Sequence, residues 1–320
     1  MAKVVLIFGV CGQDGSYMAE LCLKKGHEVH GTMRRSSNPN SQRISQIIKS
    51  IHTHLMDLSD SSSVNKVIAE VKPDIIFNLA AQSDVRASYD IPEYTGDVTG
   101  LGFTRILEAC RQHCPQSKIY QAGSSEMFGK VQAIPQNEST PFYPRSPYGC
   151  AKVYAFSMGR AYREGYGMKV YNGILFNHES PRRGELFVTK KVVKAAVEIK
   201  QGERDKLNLG NLDSKRDWGY SNDYMGAIYK FVTTQEPQDF VIATGETHSV
   251  EEFVKETFDY LGLGDWKQYV EFDENLKRPA EVDLLLGDAS KARNLIGWEP
   301  KVKFKELVKL MCDAELEANK

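Results

Sequence analysis

The sequence predicts an α/β protein in which a doubly wound parallel sheet is joined to a smaller, interleaved C-terminal α/β lobe. Three observations support this fold class. Residues 4–8 form a continuous apolar run, which is typical of a strand buried on both faces. A glycine turn and an amphipathic helix follow that run directly. Strands and helices then alternate as far as residue 175, which favours a parallel sheet with right-handed crossovers.

The turn after the first strand has the spacing G-x-x-G-x-x-G and leads into a helix over residues 16–25. Its candidate cofactor contacts are Gly9, Gly12, Gln13, Asp14 and Gly15. Glycines let the backbone approach a pyrophosphate, and the free N–H groups of a helix N-terminus favour its negative charge. This context predicts a Rossmann-like dinucleotide site, and a tight turn without a ligand is the alternative.

The second strand, residues 28–33, ends in Arg34 and Arg35. An acidic residue at this place would bind the ribose 2′-hydroxyl of NAD, whereas arginines suit the 2′-phosphate of NADP. The sequence therefore predicts NADP as the cofactor.

Further strands and helices continue the alternation. We predict helices over 41–50, 61–71 and 92–113, and strands over 51–56, 74–78 and 118–122. Residues at strand ends are additional candidate cofactor contacts: Asp57 and Leu58 on the adenine side, and Leu79, Ala80, Ala81 and Ser83 on the nicotinamide side. Small residues there would let the backbone pass close to the cofactor, although a plain packed loop explains them equally well.

The candidate catalytic groups follow the strand over 118–122. Ser124, Ser125 and Glu126 come first, and the next predicted helix contains Tyr148 and Lys152. Residues at i and i+4 share a helix face, so the ammonium lies beside the phenol and is predicted to lower its pKa. The pair is then a candidate base near neutral pH, and a surface Tyr and Lys is the alternative reading.

The second half of the chain supplies candidate substrate contacts. A strand over 169–175 ends in a polar loop with Asn177, His178 and Arg183, of which the last two are also candidate cofactor contacts. His178 is either a catalytic acid or, more commonly for a lone loop histidine, a hydrogen-bonding positioner. Arg216 and Arg278 are candidate diphosphate clamps, because a guanidinium binds phosphate oxygens in pairs.

The order of these elements predicts two interleaved units. Residues 1–175, with 219–245 returning to them, form the NADP-binding domain, and residues 176–218 and 246–320 form a substrate-binding lobe. The second unit includes predicted helices over 187–201 and 249–261 and two more after residues 288 and 304.

Composition excludes several other classes. The formal charge is −1, which gives no general attraction to nucleic acid or to an anionic membrane. None of the six cysteines forms a C-x-x-C motif and no histidines have zinc spacing, so no metal is predicted. Without a signal-peptide pattern or a membrane-length apolar run, a cytoplasmic location is expected.

Several segments together resemble the GDP-mannose 4,6-dehydratases, a family of extended short-chain dehydrogenases/reductases. The segments are GQDGSYMAE, NLAAQS, PQNESTPFYPRSPYGCAK, NGILFNHESPRRGE, LGNLDSKRDWG and RPAEVDLLLGD. The resemblance extends from residue 3 to about residue 315. It implies that Ser124, Glu126, Tyr148 and Lys152 are catalytic. It implies sugar-nucleotide contacts at Asn177, Lys191, Arg216 and Arg278, with Ser83 and Ser125 nearby.

The resemblance also implies the reaction and the assembly. GDP-D-mannose would lose water to give GDP-4-keto-6-deoxy-D-mannose, the first step toward GDP-fucose or related deoxysugars. Hydride would pass from C4 to NADP and back to C6, with Tyr148 taking the C4 hydroxyl proton and Glu126 the C5 proton. The loop over residues 35–43 is similar to one that crosses to a neighbouring subunit, which implies a homotetramer built as a dimer of dimers.

Three departures from the family pattern leave the sugar open. Asp84, Arg86 and Lys277 replace the residues that are usual there, so a related GDP-sugar such as a manno-heptose is an alternative substrate. A sugar-nucleotide epimerase or reductase is a rival with the same fold, against which Glu126 argues. A non-catalytic NADP-binding regulator is a rival of another class, against which the intact catalytic set argues.

Overall fold

The computed structural model describes residues 1–37, 41–276 and 278–318. Residues 38–40 of the expected inter-subunit loop, and Lys277, lie outside the described residues. Thirteen strands occur in the described part of the chain: β1 (Val4–Phe8), β2 (Glu28–Met33), β3 (His52–Leu55), β4 (Ile75–Asn78), β5 (Lys118–Ala122), β6 (Lys169–Leu175), β7 (Asn177–Glu179), β8 (Leu207–Leu209), β9 (Lys215–Arg216), β10 (Trp218–Tyr220), β11 (Asp239–Ile242), β12 (His248–Ser249) and β13 (Val270–Phe272).

Helices connect these strands. They are α1 (Gln13–Lys24), α2 (Ser61–Val71), α3 (Ala87–Asp90), α4 (Pro92–Thr95), α5 (Gly102–His113), α6 (Pro147–Tyr166), α7 (Val188–Gln201), α8 (Ser221–Thr234), α9 (Val250–Leu261), α10 (Ser290–Ile296) and α11 (Phe304–Ala318).

Seven strands form one parallel sheet in the order β11-β6-β5-β4-β1-β2-β3. This confirms the predicted fold class. Strand order reverses between β1 and β4, and ligands of open α/β sheets bind beyond the carboxyl ends of the strands at such a point. The glycine turn after β1 and the small residues after β4 meet there.

The two faces of the sheet are covered by different helices. Side chains of α1, α8 and α10 pack on one face, and side chains of α2, α5 and α6 pack on the other. Both faces are therefore dry, which is why strands such as β1 are apolar throughout. Edge strand β3 is the exception, because its sequence HTHL is mostly accessible to solvent.

A second core lies beside the carboxyl edge of the sheet. It is formed by α7, α9 and α11 around Trp218, together with β8. Strand β7 follows β6 after one residue and pairs in parallel with β10, which leads directly into α8. Helix α10 then returns from this region to the large sheet.

Two predicted helices differ in the structure. Residues 41–50 form two short 3₁₀ turns, Gln42–Ile44 and Ile48–Ser50, instead of one α-helix. Serines and β-branched isoleucines disfavour a longer helix there. The helix predicted over 92–113 is continuous but contains a π-helical segment, Gly96–Leu101.

No helix in the part of the chain that the structure describes is long and apolar enough to cross a membrane.

Candidate active site

The glycine turn is packed too closely to accept side chains at two of its positions. Gly9 has a φ of +81°, and a Cβ there would lie 3.0 Å from the Cα of Ala80. A Cβ at Gly15 would lie 2.2 Å from the Gly9 carbonyl oxygen. Gly12 precedes α1 and provides no side-chain cap, so the first N–H groups of the helix remain available to an anion. These features fit a bound pyrophosphate.

The other predicted cofactor contacts border the same carboxyl edge. Arg34 and Arg35 are exposed just beyond β2, and Arg34 donates a hydrogen bond to the Tyr94 hydroxyl at 2.6 Å. Asp57 follows β3 and accepts from Ser59 N at 2.9 Å. The remaining predicted contacts at this edge are Leu58, buried against Gly102, and Leu79, Ala81 and Ser83, which follow β4.

Three of the predicted catalytic groups meet where β5 ends. Ser124 caps a 3₁₀ turn, Ser125–Met127, and its hydroxyl accepts from Glu126 N at 3.2 Å. The same hydroxyl hydrogen-bonds to Tyr148, which is buried at the start of α6. Ser146 caps that helix by accepting from Gly149 N, and Pro147 occupies its first turn. The caps fix Tyr148 over the end of the strand.

Lys152 lies one turn further along α6 and is buried. Its Nζ donates to the Ala122 carbonyl at 2.7 Å and lies 5.7 Å from the centre of the Tyr148 ring. Burial lowers the pKa of Lys152 to about 8, although the charge of Asp14 opposes that shift.

The prediction that Lys152 lowers the pKa of Tyr148 is wrong. Burial raises the pKa of this phenol to about 12; the Ser124 hydrogen bond opposes the shift, and the Glu126 charge adds to it. The Lys152 ammonium instead donates its hydrogen bond to the Ala122 carbonyl. Spacing on a helix face correctly placed the pair, but it did not show how deeply the phenol is buried.

Glu126 belongs to a cluster of four charged side chains. Arg278 Nη1 lies 3.2 Å from Glu126 Oε1 and 3.8 Å from Glu281 Oε1. Arg216 Nη2 lies 3.6 Å from the same Glu281 oxygen, and its Nη1 donates to the Val282 carbonyl at 2.7 Å. The two predicted phosphate clamps are thus held together beside Glu126, with Glu281 between them. Sequence reasoning missed Glu281, although it belongs to the RPAEVD segment.

His178 forms an ion pair with Asp14 beneath the glycine turn. Its Nδ1 donates to the Phe176 carbonyl at 2.7 Å, and its Nε2 donates to Asp14 Oδ2 at 2.8 Å. Since both partners only accept, both ring nitrogens carry protons. Ser221 and Gln13 also donate to Asp14 Oδ1, at 2.7 and 3.1 Å. The geometry is that of the predicted positioner rather than of a catalytic acid.

The pKa values of the pair move apart. Burial alone would raise the pKa of Asp14, but the charge and hydrogen bond of His178 outweigh it and lower that pKa. Burial alone would lower the pKa of His178, but Asp14 and the Phe176 carbonyl raise it.

The remaining predicted residues have identified partners or positions. Asn177 begins β7, in register with Trp218. Arg183 Nε lies 2.9 Å from Glu179 Oε2, and Lys191 Nζ donates to the Asn208 carbonyl at 2.7 Å.

Two of the departures from the family pattern have local roles. Asp84 accepts from Ala87 N at 3.0 Å, and Arg86 pairs with Asp90 at 3.1 Å on the surface. Both contacts stabilise the short α3 region.

Two residues near the site, the buried Asp217 and the half-buried Tyr89, were not singled out from the sequence. Asp217 accepts from Thr244 N, Gly245 N and Gly287 N, at 2.8, 2.9 and 3.3 Å, and so joins three segments. Burial raises its pKa to about 6, against those hydrogen bonds. Tyr89 donates to the Ala280 carbonyl at 3.3 Å, beside Arg278. The position of Asp217 directly after Arg216 was the available signal.

Comparison with known proteins gives a consistent family. A family model described as GDP-mannose 4,6 dehydratase matches residues 6–311. The chain is 52% identical over 330 residues to GDP-mannose 4,6 dehydratase 2 of Arabidopsis thaliana, with 99% of this chain and 88% of the relative covered. It is 48% identical over 342 residues to human GDP-mannose 4,6 dehydratase, with 98% and 92% covered.

Solved structures share the fold. UDP-glucose 4-epimerase of Thermus thermophilus, in complex with NAD, has a TM-score of 0.86 at 24% identity, with 98% of each chain covered. RMD of Pseudomonas aeruginosa, complexed with NADPH, has a TM-score of 0.82 at 20% identity, with 99% of this chain and all of that chain covered.

Proposed function

The chain belongs to the GDP-mannose 4,6-dehydratase family and is a hydro-lyase that acts on GDP-mannose, and we propose that it uses a bound NADP together with Ser124, Glu126, Tyr148 and Lys152. The observation that supports this catalytic set is one hydroxyl with two neighbours. The Ser124 hydroxyl accepts a hydrogen bond from the backbone N–H of Glu126 and forms another with the Tyr148 hydroxyl. The Glu126 carboxylate lies close enough for its charge to add to the raised pKa of Tyr148, so the proposed proton acceptor and the proposed eliminating carboxylate are neighbours.

The glycine turn and the arginines support the choice of cofactor. Glycines at positions 9 and 15 let the turn pack closely on Ala80 and on itself, and the first N–H groups of α1, which have no side-chain cap, would be open to a pyrophosphate. Arg34 and Arg35 would hold the 2′-phosphate that distinguishes NADP from NAD. Bound NADP would supply an acceptor for hydride from C4 of the sugar and return that hydride to C6.

Tyr148 would move the proton of the C4 hydroxyl. Because burial raises the pKa of Tyr148 to about 12, its phenol carries a proton at neutral pH, and it would release that proton to solvent before it accepts the one from the C4 hydroxyl. Lys152, whose pKa is about 8, still holds most of its positive charge at neutral pH, and its Nζ lies 5.7 Å from the centre of the Tyr148 ring. In the substrate-free protein this charge does not offset the burial that raises the pKa of the phenol. Ser124 would donate to the C4 oxygen and orient it toward Tyr148.

Glu126 would perform the elimination. A ketone at C4 makes the C5 hydrogen acidic, and the Glu126 carboxylate would take that proton and deliver it to the C6 oxygen as water leaves. Arg278 holds Glu126 until substrate arrives. A diphosphate would compete for Arg278 and Arg216, since it binds guanidinium groups bidentately.

Substitution of Glu126 tests this division of labour. Glu126→Gln should still bind GDP-mannose and oxidise C4, so absorbance of reduced nicotinamide should accumulate while product formation falls by at least ~10²-fold. Tyr148→Phe should form neither reduced nicotinamide nor product, because the C4 ketone is never made.

Glu281→Gln is the matched control. It also removes a carboxylate charge from Arg278, and it should change the affinity for GDP-mannose without accumulation of reduced cofactor. Near-native turnover by Glu126→Gln would show that Glu126 is structural and would overturn the assignment.

We further propose the interleaved division of the chain. Residues 1–175 with 219–245 would bind NADP, and residues 176–218 and 246–320 would bind the sugar nucleotide. The pairing of β11 with β6 and the packing of α8 beside α1 support the first unit. The separate core around Trp218 supports the second.

The proposed assembly is a homotetramer in which the loop over residues 35–43 crosses to a neighbour. Arg35 is exposed at one end of this loop. At the other end, Arg43 Nε donates to the Arg182 carbonyl at 2.7 Å, which ties the loop to the segment beside the glycine turn. A partner subunit that binds this loop would therefore contact a segment that borders the proposed cofactor site.

A further inference from the structure

Four potential metal-ligating side chains lie on one face of the sheet, outside the active site. Glu28 and His30 are on β2, and His52 and His54 are on β3. The parallel register places His30 opposite His52. Because strand side chains alternate between faces, residues two apart on each strand share a face. The register therefore brings together four groups that the sequence separates.

The distances within this histidine cluster (Glu28, His30, His52 and His54) are short. His30 Nε2 lies 2.9 Å from Glu28 Oε1, and His52 Nε2 lies 3.9 Å from the same oxygen. One ligand atom from each of Glu28, His30 and His52 can be chosen so that all three lie within 4.8 Å of one another. His30 Nδ1 lies 2.9 Å from His54 Nε2. His30 therefore connects a three-ligand group to a further imidazole.

We infer that Glu28, His30 and His52 form a binding site for a transition-metal ion such as Zn²⁺. Two imidazoles and a carboxylate are typical zinc ligands, at bond lengths of about 2.0–2.2 Å, and water would complete a tetrahedral site. Side chains of Glu28 and His52 are 54% and 63% exposed, so they are free to close on an ion. A metal ion bound to His30 Nε2 would replace the proton in the hydrogen bond between this nitrogen and Glu28.

His54 would orient the central ligand. A metal-ligating histidine usually donates its second ring N–H to an acceptor, which fixes the ring. His30 Nδ1 already lies 2.9 Å from His54 Nε2. With a metal on Nε2, Nδ1 would carry the ring proton and donate it to His54 Nε2. His54 is therefore a positioning residue for the site, and the backbone holds all four groups on two hydrogen-bonded strands.

The location gives the ion a structural consequence. Strand β3 is at the edge of the sheet and pairs only with β2 there. The two strands lead to Arg34 and Asp57, on the adenosine side of the proposed cofactor site. A metal ion bound between β2 and β3 would hold the edge strand β3 to its neighbour. Spacing in the sequence predicted no metal, because the ligands from β2 and β3 are more than twenty residues apart.

Zinc titration of the chelator-treated protein tests the site. We expect one equivalent of Zn²⁺ to bind in competition with a chromophoric chelator and to raise the unfolding temperature, whereas Mg²⁺, which prefers oxygen ligands, should do neither. His52→Ala and Glu28→Gln should each weaken Zn²⁺ binding by more than ~10-fold, and His54→Ala by about 10-fold.

The controls separate this site from adventitious binding. His113→Ala, which alters a histidine that contacts Asn65 on another helix, should leave Zn²⁺ affinity unchanged. The exposed positions of His52 and Glu28 make folded variants expected, and circular dichroism checks this. Failure of the parent protein to bind one equivalent, or equal affinity of His52→Ala and Glu28→Gln with the parent, would overturn the inference.

Discussion

Removal of the His178 imidazole should cost stability in a way that depends on pH. The side chains of His178 and Asp14 are 13% and 23% exposed, so solvent screens their ion pair only partly. Breaking a fully buried pair costs about 3–5 kcal/mol, and a hydrogen bond to a charged group contributes about 1.5–3 kcal/mol. For this partly buried pair we expect His178→Gln to lower the free energy of unfolding by about 2–3 kcal/mol.

The direction of the pH dependence follows from the two pKa shifts. The pKa of His178 is raised, so its contribution is full below the unfolded value of about 6.5 and is lost as pH rises through the folded pKa. The pKa of Asp14 is lowered, so its contribution is full above about 3.9 and is lost as pH falls through its folded pKa. The pair should therefore stabilise most between about pH 4 and pH 6.5.

Urea unfolding of the parent, the two single variants and the double variant measures this directly. In a double-mutant cycle of Asp14→Asn and His178→Gln, the coupling energy should be largest near about pH 5.5 and should decline at alkaline pH. His113→Gln should show no such coupling with Asp14→Asn. A coupling energy that stays constant from pH ~5.5 to above the His178 transition would refute the ion-pair reasoning.

Three further outcomes are expected. Arg34→Ala and Arg35→Ala should each weaken NADP binding by ~1.5–3 kcal/mol with little effect on NAD, and equal affinity of the parent for both cofactors, measured by calorimetry, would contradict the choice of NADP. Sedimentation at micromolar concentration with NADP should give a tetramer, and a monodisperse monomer would exclude the proposed loop exchange. Asp217→Asn should destabilise the fold by ~1–3 kcal/mol in urea, because its amide nitrogen would face backbone N–H donors, whereas the exposed Asp213→Asn should be within ~0.5 kcal/mol of the parent.

Patterns that are local in the sequence were predicted well. The apolar run of β1 and the glycine turn depend on neighbouring residues, so the strand and the turn could be placed from the sequence. The single helix predicted over 41–50 was wrong, because the serines and isoleucines of this segment favour short turns over a longer helix.

Features that depend on distant residues were not accessible in this way. The Asp14–His178 pair joins positions 164 residues apart, and the histidine cluster depends on the register of two strands. The pKa of Tyr148 depends on how many atoms cover it, a quantity that the spacing of Tyr148 and Lys152 does not contain. Residue types were visible in each case, but their neighbours were set by tertiary packing.

The path of the chain between the large sheet and the second core restricts how this enzyme can be altered. Strand β6 passes into β7 after one residue, β10 runs directly into α8, and α10, which packs on the sheet, lies along the chain between α9 and α11 of the second core. In the interleaved division proposed above, no single proteolytic cut would release a complete lobe, and exchanging the proposed sugar-nucleotide lobe with that of a relative would require several simultaneous grafts. New substrate preferences are therefore more readily reached by point substitutions around Glu126, Arg216 and Arg278 than by recombination of modules.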